Sequence, residues 1–181
     1  GVLPEAHRSI FGFTLGSDDF EKAVRYFGPA SQWHSGDAAA SESKLCYVAG
    51  GAKDALTVVL ARNAEMSTRI DEIRMILGTI ESADLCARAT WSTTKIRTTS
   101  GLRPGIARSQ IVALLGPASN EIGDQMYWNW ETTKTLSATD PMYPMCLVDG
   151  VSQSTQGSGV TARIKNGRVE WLVIEYGDLV C

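Results

Sequence analysis

Four cysteines and two histidines are the residues whose types could do chemistry here: Cys46, Cys86, Cys146, Cys181, His7 and His34. A thiol beside an imidazole makes an activated nucleophile, and His34 precedes Cys46 in a polar loop. No recognisable motif surrounds His34, however, and His7 lies in a solvated lead-in. Zinc would ask for close cysteine pairs, and no C-x-x-C is present. The acidic positions Asp18, Asp19, Asp71, Glu72 and Asp84 do not fall into a calcium-loop spacing. Gly50-Gly51 lacks the Lys-Ser/Thr and the following helix of a phosphate loop. The expectation is therefore a protein that is not an enzyme, with no catalytic residue, metal or cofactor. An even number of scattered cysteines fits disulfides made in an oxidising compartment. Three pairings are open, and four buried free thiols in a reducing compartment are the alternative.

The elements that must position these residues are set by a repeat. Gly12-Phe13-Thr14-Leu15-Gly16, a short amphipathic segment and Phe27-Gly28-Pro29-Ala30-Ser31 form one copy. Gly101-Leu102-Arg103-Pro104-Gly105, a similar segment and Leu115-Gly116-Pro117-Ala118-Ser119 form the other. Gly16 and Gly105 are 89 positions apart, Gly28 and Gly116 are 88 apart. Self-similarity at fixed spacing means two copies of one supersecondary unit. In the first, Phe20, Ala23, Val24 and Phe27 line one helix face, Ser17 or Asp18 caps it, and Gly28-Pro29 ends it. In the second, Ile111, Leu114 and Leu115 do the same before Gly116-Pro117.

Strand-like stretches follow each helix: Leu45–Val48, Leu56–Arg62 and Ile70–Leu77, then Gln125–Glu131, Met142–Val148, Val160–Lys165 and Arg168–Tyr176. Turns are expected over Ala49–Ala52 and at Asn63-Ala64-Glu65. Asn166-Gly167 is the strongest hairpin signal, and Arg69–Ile76 and Arg168–Tyr176 read as counterparts. Ser152–Gly159 reads as a flexible hairpin tip. The organisation is a lead-in (1–9), a first helix-plus-meander repeat (10–80), a Ser/Thr-rich linker (81–99) and a second repeat (100–181). Each half then has one cysteine in a strand-like stretch and one beyond its last strand. The repeat thereby selects Cys46–Cys86 and Cys146–Cys181. Each closure is worth ~3–4 kcal/mol in the chain-entropy model.

A hydrophobic content of 44% with 20% charged residues is that of a soluble globular domain. The net charge of −3 argues against a general nucleic-acid binder. No apolar run reaches the roughly 18 residues needed to cross a bilayer. The opening Gly1-Val2-Leu3-Pro4 reads as a trimmed start, with an export signal expected upstream.

The segments from Gly101 to Pro117 and from Lys165 to Val169 resemble the β-lactamase-inhibitor-protein-like (BLIP-like) fold. They are similar as well to the small outer-membrane lipoprotein family called SmpA/OmlA or BamE-like. The resemblance implies an α+β fold in which short helices pack on one face of an antiparallel β-meander sheet, arranged as a tandem repeat. It also implies an exported protein, periplasmic or secreted, that binds other proteins rather than doing chemistry. The chain has no lipobox cysteine at its start, so lipid anchoring is not carried over. The first helix segment is one residue longer between its glycines than the second.

Strand alternation places Met126, Trp128 and Trp130 on one face and Tyr127, Asn129 and Glu131 on the other. In the last strand Val169, Trp171 and Val173 oppose Leu172, Ile174 and Tyr176. A strand apolar on both sides needs two covers: the helix layer and, on the other side, a partner. Trp128, Trp130, Trp171 and Tyr127 are thus candidate protein-binding residues, with core filling as their other reading. The expected partner is an unidentified protein of the cell envelope or medium, bound for inhibition or envelope assembly, and the same face would equally serve a homodimer. The alternative function is a small exported enzyme or small-molecule carrier with a pocket between the two repeats.

Overall fold

The computed structural model describes residues 1–36, 41–63, 68–81, 83–89, 91–177 and 181. In chain order come α1 (Glu5–Arg8), β1 (Ser9–Ile10), β2 (Phe13–Thr14), α2 (Phe20–Phe27), β3 (Trp33–Ser35), β4 (Glu42–Ala49), β5 (Leu56–Asn63) and β6 (Glu72–Leu77). There follow β7 (Ala87–Arg88), α3 (Arg108–Leu115), β8 (Asn120–Ile122), β9 (Gln125–Thr135), β10 (Leu147–Val148), β11 (Val151–Lys165) and β12 (Arg168–Tyr176). The fold is α+β and mostly antiparallel sheet.

Helix α2 forms where its caps and apolar stripe agree. The Asp19 carboxylate, not Ser17 or Asp18, accepts the Lys22 N–H at 2.9 Å. Asp18 instead accepts the Thr14 N–H at 2.6 Å and the Lys22 ammonium at 2.8 Å, tying the preceding turn to the helix. Phe20, Ala23 and Phe27 are buried on its inner face, and Gly28 ends it at φ +104°. In α3 the inner residue is Ile111, and the Gln110 side chain accepts the Ala107 N–H at 2.9 Å.

The main sheet runs β3-β4-β5-β6-β12-β11-β9-β8, with β7 beside β4 and β10 beside β11. Its seam is the β6–β12 pair, so the two stretches read as counterparts lie antiparallel to each other, Ile73 opposite Ile174 and Glu72 opposite Glu175. Asn166 and Gly167 turn β11 into β12 with φ +50° and +74°. Helices α2 and α3 pack on one face. There Leu45, Val58, Leu60, Ile73, Met75, Leu172, Ile174, Val160 and Met126 close one continuous core with Phe13, Phe20 and Phe27.

Four expectations need correction. Ser152–Gly159 is no flexible tip but the first half of β11, hydrogen-bonded along Glu131–Thr135 of β9. Its small side chains let other segments lie close: Ser152, Ser154 and Ser158 are buried, and the Leu3 N–H donates to the Ser158 hydroxyl at 3.3 Å. Met142–Val148 is mostly turn, with Pro141 and Pro144 interrupting pairing until β10. The lead-in is held rather than loose: Leu3 is buried and the terminal ammonium donates to the Glu131 carbonyl at 2.8 Å. The described residues of the 81–99 stretch are likewise packed. Just before it the Gly78 carbonyl accepts the Thr57 hydroxyl at 2.7 Å; within it β7 pairs in parallel with Tyr47-Val48, and the Trp91 indole donates to the Phe27 carbonyl at 3.1 Å. This segment crosses one sheet face, rounds the β4 edge and ends against α2. Ala64 and Glu65 of the expected turn lie outside the described residues.

Candidate protein-binding face

The disulfides are Cys46–Cys86 and Cys146–Cys181, with Cα–Cα distances of 4.5 and 4.8 Å. Cys46 is therefore oxidised and no thiolate faces His34, whose Nδ1 lies 3.0 Å from the Ser43 hydroxyl instead. Among the described residues no group of three or more His, Cys, Asp or Glu is placed to hold a metal ion, and no helix is long and apolar enough to cross a membrane.

Strand register builds the face opposite the helices row by row. One row reads Val48, Thr57, Ile76, Trp171, Arg163 and Gln125; the next reads Cys46, Val59, Arg74, Val173, Thr161 and Tyr127. A third reads Lys44, Ala61, Glu72, Glu175, Gly159 and Asn129. Over the first half this face is closed. Cys46, Val48, Thr57, Val59 and Ala61 are all buried, and the crossing segment is fastened to it by Cys46–Cys86 and Thr57–Gly78. From the seam onward it opens. Ile76, Trp171, Val173, Thr161 and Tyr127 are all half-buried, in contrast to the buried residues of the first half.

The four candidate aromatics separate accordingly. Trp128 is 2% exposed and donates its indole N–H to the Gly116 carbonyl at 2.9 Å, locking the end of α3 to the sheet. It is a core residue, since its strand position faces the helices. Trp130 shares that side and packs partly buried against the core. Trp171 and Tyr127 lie on the open face, two strands apart; the Tyr127 hydroxyl donates to Gln125 Oε1 at 2.7 Å. Alternation alone assigns these sides, but only the helix positions say which side is inner.

At one end the open face becomes an acidic groove of about 620 Å³, lined by Glu42, Glu72, Asn129, Glu131, Gly159 and Glu175 among others. Gly159 makes its floor: a Cβ there would come within 3.3 Å of the Asn129 side-chain oxygen and the Trp128 carbonyl. Burial, helped by the negative charges of Glu72 and Asp71, pushes the Glu175 carboxyl above its ordinary range against the pull of Arg74. Burial would lower the Arg74 guanidinium, but its hydrogen bond to Glu72 and the charges of Glu72, Glu42 and Glu175 raise it overall. Arg74 also meets Glu42 at 3.5 Å, and Lys44 meets Glu42 at 2.7 Å. Residue spacing gave no sign of this groove, because its carboxylates come from four different strands.

No family model matches this chain, and no curated protein or solved structure matches it either. The two disulfides fit a protein that folds outside the reducing cytoplasm.

Proposed function

We propose that this chain is an exported, non-catalytic protein-binding module, a tandem helix-plus-meander of BLIP-like or SmpA/OmlA-like type, periplasmic or secreted. The observation that carries the reading is the open stretch of the helix-free face. Ile76, Trp171 and Val173 lie together at the seam and Tyr127 lies two strands on, beyond Arg163 and Thr161, all half-buried on the face that carries no helix among the described residues. Rigid rings in such a position contribute large contact area at low entropic cost. The covered first half supports the same reading: there the chain closes its own face, and beyond the seam it leaves the face open to a partner protein or to a second copy in a homodimer.

The test is affinity capture from native envelope and medium with the oxidised protein as bait, against Trp171→Ala. Trp171 is half-buried and outside the core cluster, so the variant's melting is compared with the parent's before capture is scored. A partner captured by the parent and lost by the variant is the expected result. A partner retained equally by Trp171→Ala and Tyr127→Ala would remove the face from the reading. The seam groove, lined from both halves, favours the small-molecule carrier as the second reading. Thermal-shift screening with cationic ligands would test it if neither bait captures a protein.

A further inference from the structure

On the helix side, the two-residue turn of the β1–β2 hairpin is Phe11-Gly12, both at positive φ (+52° and +78°). That geometry belongs to Asn, Asp or Gly; a bulky L-residue there is sterically disfavoured. Phe11 nevertheless occupies it and leaves 37% of its surface exposed. Its ring meets Phe27 and Trp91 at 5.9 Å each, yet Phe27 is already enclosed by Phe13, Tyr47 and Trp91. Phe11 thus holds a turn position that disfavours bulky side chains, packed in part on Phe27 and Trp91 and in part open to solvent.

The ring forms one wall of a cleft of about 570 Å³, completed by Thr94, Lys95, Arg97, Thr98 and Thr99. No carboxylate is among these residues, although the chain as a whole is acidic. Lys95 and Arg97 are exposed, and neither forms an ion pair among the described residues. The loop carrying them is fixed in place. The Thr99 N–H donates to the Ser9 carbonyl at 2.9 Å, the Thr98 hydroxyl accepts the Leu102 N–H at 2.9 Å, and Ile96 between the two cations is buried. The loop that lines the cleft is thus held in place, and it brings Lys95 and Arg97, unpaired among the described residues, to the same cleft as Phe11.

We propose that this cleft binds a small ligand in which an oxyanion is joined to a flat apolar group, Lys95 and Arg97 meeting the charge and Phe11 stacking on the ring. Phosphate, sulfate and carboxylate share the required charge, and aryl rings or sugar faces share the required flatness. The site lies apart from the helix-free face and does not depend on the protein-binding reading.

Calorimetric titration of the oxidised chain with naphthyl phosphate tests it, with inorganic phosphate and 2-naphthol carrying the anion and the ring separately. Naphthyl phosphate should bind at least about tenfold more tightly than either fragment, and Lys95→Ala/Arg97→Ala should weaken it at least about tenfold. Phe11→Asn should reduce naphthyl phosphate to the level of inorganic phosphate while melting stays level or rises, because Asn suits the turn. Lys95 and Arg97 are exposed, so the double variant decides even if Phe11→Asn fails to fold. Naphthyl sulfate binding as tightly as the phosphate would assign a monoanion site, weaker sulfate binding a dianion site, and both support the proposal. Binding no tighter than that of inorganic phosphate, or unchanged in Lys95→Ala/Arg97→Ala, would overturn it.

Discussion

Glu175 and Glu72 stand opposite each other across the seam, and like charges so placed repel whenever both are ionised. Arg74 relieves part of the repulsion, but burial first, and the charges of Glu72 and Asp71 after it, hold the Glu175 carboxyl above its ordinary range. In the unfolded chain Glu175 loses its proton first, so the folded state binds more protons between the ordinary and the raised pKa. Stability therefore falls as pH rises through that window and is regained on acidification. Glu175→Gln should stabilise the protein by about 0.5 kcal/mol at pH 8, solvent screening keeping the gain small, and by nothing at pH 4. Paired urea titrations at the two pH values measure the difference. A gain that persists at pH 4 would point to packing instead of charge. Trp128 and Trp171 make the complementary point: one residue type on two strands of the same sheet has different fates, because alternation aims one at the helix layer and the other away from it.

At the scale of elements, the crossing segment after β6 is the least expected piece of architecture. It gives the first half of the sheet its second cover, and Cys46–Cys86 fastens it there. Replacing both cysteines by serine should cost about 3–4 kcal/mol by the chain-entropy estimate. It should also raise hydrogen exchange at the Ala89 amide, which is bonded to the Val48 carbonyl at 2.8 Å. Faster exchange spread evenly over the sheet, with no excess at Ala89, would mean that the bridge acts only through global stability. The helices and the Asn166-Gly167 hairpin were legible because periodicity and turn chemistry are local signals. Both cysteine pairings match those expected from reading the chain as two copies of one unit. The crossing segment was not legible: its order comes from one disulfide, a two-residue parallel bridge and single hydrogen bonds to distant residues. Ser152–Gly159 misled for a related reason. Serine and glycine have weak strand preference alone, and β9 alongside supplies the pairing that overrides it. The seam groove was invisible because side chains far apart in sequence meet only through strand register.

Across the whole molecule, the two halves share one sheet and one core. The β6–β12 pairing joins them, and the buried cluster runs without a break from Leu3 and Phe13 to Met126 and Val169. Gly16 is a lock between them. Its N–H donates to the Ile70 carbonyl at 2.8 Å, its φ is +79°, and the Tyr176 ring of β12 lies where a Cβ would project. The Arg8 guanidinium sits 4.2 Å from the centroid of that ring, which hinders Tyr176 from moving aside. Gly16→Ala combines a left-handed backbone with overpacking, and should cost about 2–4 kcal/mol. Because Gly16 belongs to the first half and Tyr176 to the second, the loss should reach both. Calorimetry should show one transition at lower Tm, with van't Hoff and calorimetric enthalpies still in agreement. Near-ultraviolet circular dichroism from the tryptophans of both halves should melt at that same temperature. Two separated transitions, with Trp128 and Trp130 unaffected by the substitution, would show instead that the seam is a contact between independently folding units. In that case the first half would add Ile76 and the groove carboxylates Glu42 and Glu72 to a face that the second half folds without it.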